Sequence, residues 1–174
     1  MRDGKSGKII VAREDFYSFT LTNTCLTQGF FVMTIPQWTL LGFALWTLIV
    51  LISTIGITRW YLIFSGKVEP RNFRADEPHG SPRYRRAMRA HMNCVENLPV
   101  YGAIIFCLTL LKVDNALLNI LAIVFMMERV CQTMTHITFT DTNRMVIIRF
   151  LFFFIQIVIM FWMATWVIKT GSTL

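Results

Sequence analysis

Four stretches of the chain, residues 37–64, 90–111, 115–137 and 145–168, are apolar over about 20 residues or more, the length a helix needs to cross a hydrocarbon core about 30 Å thick. Few folds are open to such a pattern. In lipid every backbone N–H and C=O must find its partner inside the span or around a closed barrel. The runs are rich in Leu, Ile, Phe and Met and lack the alternating polar positions of barrel strands, so each predicts a helix. The expected fold class is an all-α membrane protein, a bundle of four transmembrane helices. Composition agrees: 55% of the 174 residues are hydrophobic and only 16% are charged, too apolar for a soluble domain of this length.

Residues 1–35 read as an N-terminal extension and residues 36–174 as the membrane domain. The extension begins with charges and continues as FYSFTLTNTCLTQGFF, without the continuous apolar core and small-residue cleavage site of a signal peptide. It is expected to be uncleaved and to end where Pro36 sets the first helical turn.

Lys67, Arg71, Arg74, Arg83, Arg85, Arg86 and Arg89 crowd the connection between the first two spans, against Glu69, Asp76 and Glu77. The positive-inside rule puts that loop in the cytoplasm. The connection LKVDN is too short for anything but antiparallel neighbours, and the third, THITFTDTNR, returns to the cytoplasm with Arg144 and nearby Arg149. A bacterial inner membrane or an endoplasmic reticulum would select the same pattern. The net charge of +7 does not point to nucleic acid, because the cations gather at one membrane face without stacking aromatics in a groove; contact with lipid phosphates accounts for the loop better. Cys25, Cys94, Cys107 and Cys131, and the three histidines, have no metal-ligand spacing, so no metal is expected.

Charges inside the spans need a different account. At about 100° per residue, Asn93 lies about 40° and Glu96 about 20° from Arg89 on a helix, and Arg86 sits one turn earlier. Arg129, Thr133 and His136 repeat the stripe on the third span, with Gln132 at its edge. A charge at the centre of a membrane helix costs about 2.5–3.5 kcal/mol on insertion scales and normally faces a bundle interior or a wet cavity. One reading pairs Glu96 with Arg129 as glue between helices. The surplus cations Arg86, Arg89 and Arg144 favour another, in which an anion completes the site.

The segment RAMRAHMNCVENLPVY resembles the RAxxNxxExxP signature of the membrane-associated proteins in eicosanoid and glutathione metabolism, the MAPEG family, which includes microsomal glutathione transferases and leukotriene and prostaglandin synthases. Arg89, Ala90, Asn93, Glu96 and Pro99 stand in register, and the four-span layout fits over roughly residues 37–168. The resemblance implies a homotrimer that binds glutathione between subunits near the cytoplasmic face and takes a lipophilic electrophile or lipid hydroperoxide from the bilayer. It implies Arg89, Asn93 and Glu96 as glutathione contacts, with Arg71 and Arg74 after the first helix and Arg129 on the third; the stripes add Arg86, Gln132 and His136 to the candidate binding set. Arg129 matches an arginine that begins an Arg-x6-Tyr spacing, and His136 stands where the tyrosine is usual. Arg144 is the expected stabiliser of the glutathione thiolate, the actual nucleophile, with Arg149 second. Two other readings remain: a non-catalytic relative that binds and presents lipids, and a small transporter, for which inverted repeats or broken helices would be expected.

Overall fold

The structure, a computed structural model, describes residues 33–73 and 80–173; the extension up to residue 32, Arg74 and Cys25 lie outside them. Among the described residues there is no strand. The first span is α1 (Ile35–Val50), a π-helical turn (Leu51–Gly56) and α2 (Ile57–Phe64); a 3-10 turn follows at Pro70–Asn72, then α3 (Pro82–Leu110), α4 (Ala116–Thr138) and α5 (Asn143–Gly171). These make four helices long and apolar enough to cross a membrane.

The helix starts carry their own signals. Thr34 caps α1, its N–H donating to the Gln37 side chain at 2.8 Å, with Pro36 in the first turn. Ser81 caps α3 through a bond from the Tyr84 N–H, with Pro82 next. Asn115 and Thr142 cap α4 and α5 in the same way. Caps answer the orphan N–H groups of a first turn, and they explain a difference from the sequence reading: α3 begins at Pro82, eight residues before the expected 90. Hydropathy locates the apolar span, whereas Ser-Pro starts the helix, so two basic turns of α3 project beyond the apolar length. Its other end is tied to the first span, where Gln37 Nε2 donates to Thr109 Oγ1 at 3.1 Å.

Within the first span, Thr47, Thr54 and Thr58 each donate their hydroxyl to the carbonyl four residues earlier. Such back-bonding weakens and bends helices, and the π turn falls among these threonines.

α4 is the central element, packed on α1, α3 and α5. Lipid tails are as apolar as a core, so close packing rather than water exclusion holds spans together. Tyr101 and Phe125 stack with ring centroids 4.0 Å apart, and Phe43 meets both edge-on at 6.2 and 5.6 Å. The Tyr101 hydroxyl is satisfied by Thr39 at 2.7 Å. This cluster joins α1, α3 and α4. Phe125→Ala is expected to cost about 3 kcal/mol, the usual scale for deleting a buried ring, read as a fall of roughly 6–12 °C in thermal midpoint in detergent.

Candidate functional site

One helical turn beyond the aromatic cluster the interior turns polar. Arg129 is fully buried, at 0% exposure, with its guanidinium 5.2 Å from the Phe43 ring centre and 5.9 Å from that of Phe125. It makes no ion pair with the described residues. Its Nη1 donates to the Asn93 carbonyl at 3.3 Å and to Gln132 Oε1 at 3.0 Å, while Nε and Nη2 are buried with no oxygen or nitrogen partner among the described residues. Gln132 joins α4 to α5: Oε1 also accepts from Gln156 Nε2 at 3.2 Å, and Nε2 donates to the Arg149 carbonyl at 3.3 Å. The alternative reading of a Glu96–Arg129 pair as glue between helices does not hold among the described residues. Arg129 points inward between two rings, whereas Glu96 is exposed on the protomer surface and makes no ion pair with the described residues.

Above this layer the ends of α3, α4 and α5 enclose a cavity of about 360 Å³, within the range of small-molecule sites, about 300–1,000 Å³. Arg89 and Asn93 line it from α3, Gln132 and His136 from α4, Asp141 from the connecting loop, and Arg149 from α5. Val146, Phe150 and Phe153 give it an apolar wall. Helical spacing does this: residues 89 and 93, and 132 and 136, are each one turn apart and share a face. Asn93 Nδ2 and His136 Nε2 approach to 3.4 Å across the two helices.

The charged groups meet on the loop. Asp141 Oδ2 accepts from Arg89 Nη2 at 2.9 Å, and Oδ1 from Arg149 Nη1. Arg149 also donates through Nη2 to the carbonyls of Thr135 and Phe139, at 3.0 and 2.8 Å. The last carbonyls of a helix have no partners of their own, so Arg149 closes the C-terminal end of α4. The hydrogen bond from Arg149 holds the Asp141 carboxyl below its ordinary range, and the nearby charges of Arg89, Arg149 and Arg86 act in the same direction against the opposing effect of burial.

The structure thus brings together Arg89, Asn93, Gln132 and His136 from the expected set, with Arg129 hydrogen-bonded behind them. Arg86 is buried one turn before Arg89 and does not line the cavity. Arg71 is exposed and paired with Glu69. Arg144 is exposed in the first turn of α5, off the cavity wall, while Arg149, the second candidate, is buried on it. Asp141 and Gln156 were missed. The signals were there: Asp141 is the lone acid of its loop, and Gln156 is the only polar residue in FLFFFIQIVIM.

The MAPEG family profile matches residues 36–169. The chain belongs to this family. No curated protein and no solved structure matches it. Membership implies a membrane function of the glutathione-related transferase or peroxidase type, or one related to it, and the four helices are those of a multi-pass integral membrane protein.

A carboxyl with a lowered folded pKa stabilises the fold above its unfolded value, 3.8, and that stability is lost as pH falls through the folded value. Thermal midpoints in detergent should therefore drop as pH is taken below about 4, and Asp141→Asn should shrink that acid-sensitive part while lowering stability near neutral pH.

Proposed function

We propose that the chain is a glutathione-dependent membrane transferase or peroxidase whose second substrate is a lipophilic electrophile or a lipid hydroperoxide. The observation that carries the reading is the cavity itself. Two guanidiniums, two amides and an imidazole face one carboxylate across a wall that is otherwise apolar, in a chain of a family that contains glutathione transferases. Glutathione fits this chemistry. It is a peptide with net negative charge and both donors and acceptors, and the cavity has an excess of cation over anion.

Arg89 would take a carboxylate of the tripeptide through a charge-assisted bond, and Asn93, Gln132 and His136 would hold its amides. Arg71 and Arg86 would supply positive potential at the same end, and Arg74, outside the described residues, keeps the role the family resemblance implies. Glu96 faces away from this cavity, so its expected role with the glutathione ammonium requires a site shared between subunits, in a homotrimer. The lipophilic partner would enter from the bilayer along Val146, Phe150 and Phe153.

A guanidinium beside the glutathione sulfur favours its ionised form. In a conjugation the thiolate forms an S–C bond, and the electrophile expels its leaving group or gains a proton. In a peroxidase cycle two glutathiones give the disulfide while the hydroperoxide becomes an alcohol and water. No protein nucleophile is needed. Arg144 and Arg149 are the two candidates for this guanidinium; Arg149 is on the cavity wall, and Arg144 lies within reach of a neighbour or of a ligand that extends out of the protomer.

Calorimetry with glutathione on the full chain in detergent tests the reading, together with the thiolate difference absorbance. Arg89→Leu should weaken binding by about 2 kcal/mol or more, the scale for truncating one side of a desolvated charge pair. Absence of glutathione binding by the unmutated protein would remove the reading.

The thiolate role is separable from binding. Substitution by alanine of whichever arginine faces the sulfur should lower turnover and raise the apparent pKa of the bound thiol while binding stays measurable. If Arg144→Ala and Arg149→Ala both lost binding alone, neither would be the electrostatic catalyst. Native mass spectrometry should find three chains; a monomer that still binds glutathione would exclude a shared site.

A further inference from the structure

The cavity already holds a carboxylate, and it belongs to the protein. Asp141 gives one oxygen to Arg89 of α3 and the other to Arg149 of α5, bridging two helices as a ligand carboxylate would. Its two partners differ in what else they hold. Arg149 is anchored by the carbonyls of Thr135 and Phe139 and would keep its place if Asp141 left. Arg89 is half exposed, and Asp141 is the hydrogen-bonding partner of its guanidinium among the described residues. Asp141 itself is 40% exposed on the short loop between α4 and α5, so its side chain has solvent to turn into.

From this geometry we infer that Asp141 is the resident anion of the site: it occupies the position of a ligand carboxylate between Arg89 and Arg149, and an anionic ligand binds by displacing it. The inference rests on the glutathione reading above and adds a residue that sets how strongly the site holds anions. A carboxylate that must be displaced lowers apparent affinity by the fraction of time the site is closed to the ligand. It also keeps two guanidiniums from facing each other uncompensated when no ligand is present. With Asp141 neutralised, Arg89 and Arg149 are left without a counter-charge, and Arg86 adds a third cation close enough to act on the same carboxyl.

The test is calorimetry of glutathione binding to the full chain in detergent, comparing the unmutated protein with Asp141→Asn and Asp141→Glu, each first checked for an intact thermal transition. Asp141→Ser is measured beside them, so that failure of one neutral variant to fold leaves the comparison standing. The neutral variants should bind glutathione about fivefold more tightly, the scale of a half-exposed ion pair, and Asp141→Glu should return affinity to the unmutated value. The diethyl ester of glutathione, which has no carboxylate, should bind all the proteins alike; a merely structural loop residue would change both ligands together. Equal affinity for glutathione in the neutral variants overturns the inference and leaves the glutathione reading intact. Weaker affinity does the same, and would mean that Asp141 receives the ligand's ammonium instead. Absence of glutathione binding by every variant and by the unmutated chain overturns the reading of the site and this inference with it.

Discussion

A guanidinium at the centre of a membrane bundle has no water to hydrate it, and the arrangement of α3, α4 and α5 follows from what Arg129 is given in place of water. Two aromatic faces, from Phe43 and Phe125, supply a quadrupole attraction worth about 0.5–2 kcal/mol each. The Asn93 carbonyl and Gln132 Oε1 supply hydrogen bonds. A charge–carboxylate pair would have been stronger in isolation, but a pair desolvated on both sides roughly breaks even against its hydration. The neutral acceptors leave Arg129 with positive charge uncompensated, directly behind a cavity that faces solvent on its other side. One buried cation thus does two things: it fixes the register of α3 against α4, and it adds positive potential to the site.

Gln132 extends that constraint to α5. Its oxygen is shared by Arg129 and Gln156, and its amide nitrogen reaches the Arg149 carbonyl. Arg149 then turns back to bind the end of α4 through Thr135 and Phe139. The two helices are locked by side chain to backbone in both directions, which is why the loop between them can be short and still place Asp141 accurately. The residue that frames the cavity is also the residue that closes a helix end. Stability and ligand binding are coupled at Arg149 by that double use, and the position of Arg144 outside the network makes it free of such coupling.

Much of this was legible in the sequence, because helical periodicity is a strong signal. The four spans follow from hydropathy, and the stripe from residue 89 to 93 on one helix and from 132 to 136 on the next follows from spacing; the structure puts these four side chains on one cavity. What spacing cannot give is rotation about the helix axis relative to the neighbours. Arg89 and Glu96 are about 20° apart on a helical wheel, yet they are two turns apart along the axis, so one reaches the polar end of the bundle and the other faces outward. The lone acid of the loop was visible but its placement was not: Asp141 is held by Arg149, eight residues on, through a contact that has no period. The start of α3 differs from the hydropathy boundary because its first turns are basic, and the helix start is marked instead by Ser81 and Pro82.

Glu96 and Glu128 carry the argument beyond one protomer. Glu96 is exposed within a span, and Glu128 keeps a buried oxygen without a partner. A bilayer offers neither water nor cations at that depth, and an isolated ionised side chain there is costly enough to be rare. The protomer has spent its interior cations elsewhere: Arg129 on rings and amides, Arg149 on carbonyls and Asp141. Among the described residues neither carboxylate has an ion-pair partner; a ligand ammonium, a proton or a neighbouring chain would each supply one. The first and third of these meet in the proposed trimer, where one subunit's Glu96 would face the glutathione held by another subunit's cavity.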